Sequence, residues 1–149
     1  MIHAYDLNNL KEVGVREGWN PLKKETICHE TAIMDLLPIH DQGILVSAGL
    51  DSKICLWDLG TLEGKMTLVG HTFGVYSLDW YAPGSVILSA GLDHDIYIWN
   101  RYVEKWIFML KGHNHSLVGV KVLPNSHLIV SADISVMFRV WVARKFTTV

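Results

Sequence analysis

The sequence predicts an all-β chain built from repeated four-stranded antiparallel sheets. Two observations carry this. Trp57, Trp99 and Trp141 stand 42 residues apart, and the same spacing holds for His29, His71 and His113 and for Ser47, Ser89 and Ser131. Within that register the pentapeptide SAGLD occurs at 47–51 and again at 89–93, and Gly70-His71 matches Gly112-His113. Several residue types sharing one period mark a repeat architecture, in which each repeat is one supersecondary unit.

The second unit shows the strands in order. After His71 comes VYSLDWY, then a turn at Pro83-Gly84, then SVILSAG. Asp93 and His94 follow, then DIYIW, a short break, and KWIFML. These are four short runs rich in β-branched and aromatic residues, separated by turn formers. Apolar residues are dense in the first three runs, as in strands covered on both faces, and helical periodicity is absent. One such sheet cannot bury both faces alone, so it must stack on copies of itself.

Composition fits a folded domain with a sizeable core: 149 residues, 50% hydrophobic and 19% charged, net charge -2. With a pI near 6.4 there is no basic excess for nucleic acid and no polybasic cluster for a membrane surface. The opening MIHAYDLNNLKE lacks the apolar core of a secretory signal, and no run approaches the length of a membrane-spanning helix. Cys28 and Cys55 are far apart and read as free thiols in a reducing compartment. The expected location is intracellular, in the cytoplasm.

The order Gly-His, Ser, Asp, Trp-Asp at this period resembles the WD40 family over about residues 29–142. The resemblance implies a β-propeller whose blades each hold a buried His–Ser–Asp–Trp tetrad. Carried over, the first is His29, Ser47, Asp51 and Trp57, and the second His71, Ser89, Asp93 and Trp99. In the third, His113, Ser131 and Trp141 match, but Ser135 stands where the carboxylate belongs. Asp133, at the position of Gly49 and Gly91, either supplies a carboxylate from a shifted turn or leaves that network weaker. On a turn matching that of Asp51, Ser135→Asp would be neutral or stabilising. A buried carboxylate is costly unless donors satisfy it, and imidazole, hydroxyl and indole N–H are suited to such a chain. The Asp after Trp survives at Asp58 and is replaced by Asn100 and Val142; Cys28 replaces the Gly before His29.

The repeats fall at about 29–70, 71–112 and 113–149, within one domain of residues 1–149. Residues 1–28 are the remainder of a preceding blade, with Tyr5-Asp6 in IHAYDL standing for Trp-Asp. The stretch from Asp6 to His29 is ten residues longer than that from Asp58 to His71, so EGWNPLKKE reads as an extended loop or lengthened strand. KFTTV begins a final outer strand. The fold class is therefore a WD40 propeller fragment, about three four-stranded blades plus part of another. Closed propellers have about 4–8 blades, so the chain reads as a piece of a longer protein. Two combining copies or a truncated product are the alternatives.

Other chemistry is weakly signalled. Eight histidines occur without an HxxxH or Cys/His cluster, so no metal is expected. Gly60 to Lys65 matches a phosphate loop only loosely and is followed by Met66. The recurring His, Asp and Ser, each tied to a Trp, point to structure rather than a hydrolase triad. Trp141-Val142-Ala143-Arg144 departs at Val142 from the Trp-Asp-x-Arg motif by which some WD40 proteins dock on ubiquitin-ligase adaptors. No catalytic residue and no cofactor is assigned. The expected function is a non-catalytic scaffold binding other proteins, with self-association through open blade faces. By family resemblance, the candidate partner-binding rim comprises Thr31, Leu50, Phe73, Leu92, His115 and Ile134, the alternative being that neighbouring blades or inserts cover these side chains. A structural component of a large assembly is the alternative, since Gly112 to Arg144 is similar to repeats of axonemal WD40 proteins, which implies a cilium or cytoskeleton location. A propeller-based enzyme is a further alternative.

Overall fold

A computed structural model describes residues 2–6, 11–16, 29–61, 63–143 and 147–148. A first hairpin pairs β1 (Ile2–Asp6) with β2 (Lys11–Arg16). Three four-stranded antiparallel sheets follow in chain order. The first contains β3 (Ile33–Ile39), β4 (Ile44–Gly49), β5 (Ile54–Asp58) and β6 (Gly64–Leu68). The second contains β7 (Val75–Tyr81), β8 (Val86–Gly91), β9 (Ile96–Asn100) and β10 (Trp106–Leu110). The third contains β11 (Leu117–Val122), β12 (Leu128–Asp133), β13 (Phe138–Val142) and β14 (Thr147–Thr148). Each is a meander in which sequential strands pair. The extended region around EGWNPLKKE, Cys28 and Arg144 lie outside the described residues.

The middle sheet shows why its strands read as unbroken apolar runs. Every residue of β8 is buried, as are Ile96 to Trp99 of β9. Alternation sends Ile87, Tyr97 and Trp99 into a core shared with Val46, Ile54 and Leu56 of the first sheet. Leu88, Ile96 and Ile98 point the other way, into a core shared with Leu117 and Ile129 of the third. The first sheet has one covered face, so β3 alternates: Met34, Leu36 and Pro38 are exposed while Ile39 is buried.

Turns repeat as faithfully as strands. Among the described residues the only helical pieces are two short 3-10 turns, His40–Gln42 and Ala82–Gly84. The Pro83-Gly84 turn is closed by Ser85, in the left-handed region at φ 50°, as Gly43 closes its counterpart at φ 63°. Ser52, His94 and Val136, spaced by the repeat, all have φ between 63° and 71°. The three turns that follow β4, β8 and β12 therefore share one backbone path, although their sequences differ.

Candidate functional site

Each sheet contains a hydrogen-bonded chain running from its third strand to the residue that enters its first. In the second sheet Trp99 Nε1 donates to Ser89 Oγ at 2.7 Å, and Ser89 Oγ lies 2.6 Å from His71 Nε2. His71 Nδ1 lies 2.7 Å from Asp93 Oδ2. An indole N–H can only donate, so the serine hydroxyl must give its own proton to Nε2, which leaves Nδ1 to donate to the carboxylate. The first sheet repeats this with Trp57 on Ser47 at 2.8 Å, Ser47 on His29 at 2.8 Å, and His29 on Asp51 at 3.0 Å. Backbone N–H groups of Glu30 and Lys53 also donate to Asp51. Burial raises the Asp51 pKa, but the hydrogen bond from His29 and those backbone donors outweigh it and leave the carboxyl below its ordinary value.

The third sheet completes the same chain by a substitution of position. Trp141 donates to Ser131 at 2.9 Å, Ser131 lies 2.7 Å from His113, and His113 Nδ1 meets Asp133 Oδ2 at 2.6 Å. The hydroxyl and N–H of Ser135 donate to Asp133 Oδ1 at 2.6 and 2.9 Å, and Met137 N–H joins them at 3.3 Å. The Ser135 hydroxyl, with His113 and these backbone donors acting against burial, holds the Asp133 carboxyl far below the ordinary range. Geometry explains the exchange. A Cβ at Gly49, the position equivalent to Asp133, would lie 2.6 Å from His29 Nδ1 and 2.7 Å from Asp51 Oδ1. A carboxylate two residues on thus requires glycine here, and a carboxylate here requires a small donor two residues on.

Ser135→Asp is therefore expected to destabilise, against the expectation of neutrality from sequence. The turn does match that of Asp51, but its carboxylate site is already filled. The new side chain removes a donor and sets a second anion beside Asp133. The paired carboxylates raise the pKa of one of them in the folded state, so the deficit is largest near neutral pH. It should shrink as pH falls through the carboxylate range, where one proton relieves the repulsion and wild type loses its own advantage from a depressed Asp133. Thermal midpoints of both proteins at pH 7 and pH 4 test this; a variant as stable as wild type at pH 7 would refute it.

Adjacent sheets are stitched by side chains that the sequence reading missed. Asp35 Oδ2 accepts Leu78 N–H from the next sheet at 2.7 Å, and its Oδ1 accepts Leu36 N–H. Asp79 does the same one sheet on, accepting Val122 N–H at 2.6 Å and Trp80 N–H. Ser77 Oγ accepts Val120 N–H, and Lys121 Nζ reaches Leu78 O at 2.9 Å. Tyr81 Oη meets His127 Nδ1 at 2.5 Å across the same seam. The visible signal was a carboxylate inside an otherwise apolar strand, at Asp35 and Asp79.

The six rim residues lie at corresponding places beside the tetrads. Leu50, Leu92 and Ile134 N–H groups donate to Ala32, Gly74 and Ser116 O respectively, at 2.9 to 3.0 Å. This repeated bond ties each turn to the entry of the sheet's first strand, where Thr31, Phe73 and His115 stand. The rim is not uniformly open. Leu50 packs on Gly74 of the next sheet, where a Cβ would meet its Cδ2 at 2.9 Å. Leu92 is half-buried, and Ser116 Oγ lies 3.4 Å from its carbonyl oxygen. Thr31 and His115 are exposed, as are Phe73 at 61% and Ile134 at 64%.

Ser–His–Asp order is also that of a hydrolase triad, but Ser47, Ser89 and Ser131 are at most 1% exposed and each accepts an indole N–H. No substrate carbonyl can approach those hydroxyls, so the chains hold structure. No cluster of three or more His, Cys, Asp or Glu side chains suited to a metal occurs among the described residues.

Four-stranded sheets stacked face to face, each locked by the same buried chain, define the class: these are blades of a β-propeller. The chain belongs to the WD domain, G-beta repeat (WD40) family, whose profile matches residues 20–58 and 63–100, more than half of its length. Those stretches end before the third sheet, the one whose carboxylate has moved. Over 55 residues the chain is 42% identical to Protein HIR1 of Gibberella zeae and 40% identical to Protein hir-1 of Neurospora crassa. These alignments cover 37% of this chain and 5% of each of those proteins. The RRP9 WD40 repeats superpose with a TM-score of 0.76 at 20% identity, over 81% of this chain and 38% of that one. U3-55K gives the same score and identity over 39% of its own chain. At that identity the likeness establishes the fold, consistent with the all-β blades described above.

Proposed function

We propose that this chain is a protein-interaction scaffold whose rim, centred on Phe73, binds another protein. WD40 proteins are generally non-catalytic scaffolds, and the three tetrad serines here are sealed in the blades. One observation carries the assignment to the rim: Phe73 remains 61% exposed although the blades on both sides of it are in place. A large aromatic side chain held on a rigid turn is the type of residue that anchors an interface core. Leu92, half-buried beside it, extends the apolar patch, with Thr31 and His115 as its polar border.

Phe73→Ala and Leu92→Ser should each weaken partner capture by about tenfold, the effect of losing roughly 1.4 kcal/mol of anchoring. The Phe73→Ala melting midpoint should stay within about 2 °C of wild type, because an exposed side chain contributes little to the core. Quantitative co-purification followed by affinity measurement on the recovered partner tests both. Undiminished binding by Phe73→Ala would place the partner elsewhere.

A second reading concerns the free faces. Met34 and Leu36 on the first sheet and Phe138 on the third are exposed where a propeller would place further blades. We propose that additional blades, from a continuation of the same polypeptide or a second copy, cover these faces.

A further inference from the structure

The turn between β12 and β13 departs from its two counterparts at equivalent positions. Where the first turn carries Ser52-Lys53 and the second His94-Asp95, the third carries Val136-Met137. Lys53 is held by Glu30 at 2.6 Å, and Asp95 faces Lys111. Val136 and Met137 are 94% and 54% exposed, with Ile134 exposed in the same turn. A further blade beside the third sheet would leave this tip at the surface, because Ser52 and His94 keep part of their exposure with a following blade in place. Val136 also holds its place against strain. Its φ is 68°, in the left-handed region, which a β-branched side chain resists and asparagine or glycine tolerates. Ser52 and His94 follow the same backbone path, so a polar residue would fit the turn at least as well.

A second departure lies directly behind the tip. Arg139, opposite Ser131 in the pairing of β12 with β13, takes the position held by Cys55 and Tyr97. An extended chain rises about 3.3 Å per residue, which sets Arg139 about 7 Å from Met137. A Cβ on Gly112 would lie 3.4 Å from Arg139 Cζ, so the guanidinium stands next to the segment that carries Lys111, itself exposed. Among the described residues no acceptor meets the buried Arg139 Nε. The charge of the repeat agrees. From His113 onward the sequence holds Lys121, Arg139, Arg144 and Lys145 against Asp133 alone, whereas residues 29–70 hold two basic and six acidic residues. That asymmetry turns the third blade toward a negative surface, although the whole chain carries net charge -2.

We propose that the Val136-Met137 tip docks on an anionic phospholipid bilayer, a contact distinct from the protein contact centred on Phe73. The tip enters the headgroup region, while Arg139 and Lys111 meet the anionic headgroups behind it. A convex apolar tip suits a bilayer, which needs no matching groove, and the cations beside it suit anionic lipid. The sequence has no polybasic run, so insertion of the apolar tip supplies the larger share of the affinity.

The test is flotation of the full chain with phosphatidylcholine vesicles prepared with and without phosphatidylserine. Wild type should bind the phosphatidylserine vesicles saturably and the others about fivefold or more weakly, a difference that added salt should shrink. Val136→Asn should weaken binding by about tenfold, the effect of withholding one aliphatic side chain from the lipid. Its melting midpoint should stay at or above that of wild type, because asparagine tolerates this φ. Weaker binding by a protein that is no less stable excludes unfolding as the cause. Phe73→Ala should bind vesicles as wild type does. The comparison of the two vesicle types uses wild-type protein alone, so it stands even if Val136→Asn fails to fold. No flotation with phosphatidylserine vesicles, equal binding to both vesicle types, or undiminished binding by Val136→Asn overturns the proposal. So does an equal loss in Phe73→Ala, which would place the lipid on the Phe73 surface instead.

Discussion

Trp99→Ala is expected to remove about 3–5 kcal/mol of stability, the range for losing a large aromatic from a packed core. Trp99 is fully buried between the first and second sheets, and its indole N–H donates to Ser89 Oγ. Its truncation opens a cavity beside Tyr97, whose ring stacks on it with centroids 5.7 Å apart. It also strips one partner from the Ser89–His71–Asp93 chain. Trp99→Phe separates the two losses: most of the packing stays, the indole N–H goes, and the deficit should fall to about 1–2 kcal/mol. Urea unfolding with an unchanged slope measures both variants. Trp106→Ala is the contrast, a tryptophan of the same sheet whose partial exposure predicts a much smaller deficit. Equal losses at Trp99 and Trp106 would contradict the packing described.

Gly91→Ala should be the most damaging alanine replacement among the described glycines, costing about 2–3 kcal/mol through forced backbone movement. A Cβ at Gly91 would sit 2.2 Å from Gly74 O and 2.9 Å from Val75 Cα, both main-chain atoms that cannot rotate away. Gly74 O also accepts Leu92 N–H at 2.9 Å, so the methyl group would prise open the rim turn that carries Leu92. The effect should thus appear twice, as a lower melting midpoint and as weaker partner binding. Gly119→Ala is the control. Its Cβ would meet nothing within 4 Å, and replacing glycine inside a strand should be neutral or slightly stabilising. A Gly91→Ala protein that melts with wild type would show that β7 and β8 can part at the rim without penalty.

The tetrads illustrate how far residue types and spacing reach. Trp, Ser and His recur at 42-residue intervals because each blade solves the same problem, satisfying a buried hydroxyl and carboxylate with donors from three segments. Such a local, repeated constraint leaves a periodic trace. The third carboxylate left none that was unambiguous. Asp133 supplying it from a shifted turn and a weaker network without it were both open, and the choice depends on whether a Cβ fits beside the histidine ring, as the 2.6 Å approach at Gly49 makes plain. The rim positions were legible from the same register, but not their exposure. Leu50, with its Cδ2 against Gly74 of the next blade, is 38% exposed and Phe73 61%, a difference of neighbours rather than of residue type.

By itself, then, the amino-acid order determined the repeat, the four strands of each unit, the turn positions and the His, Ser and Trp of every tetrad. Each of these follows from contacts within a unit, where separation along the chain maps directly onto position in the sheet. Only the tertiary structure decided what happens between units. Asp35 and Asp79 bond backbone N–H groups 43 residues away rather than one repeat of 42, because a strand's side chain reaches the residue just past its own counterpart in the next blade. The contrast between buried Ile96 and exposed Phe73 is settled in the same way, since whether an apolar residue is core or surface depends on what the fold sets beside it.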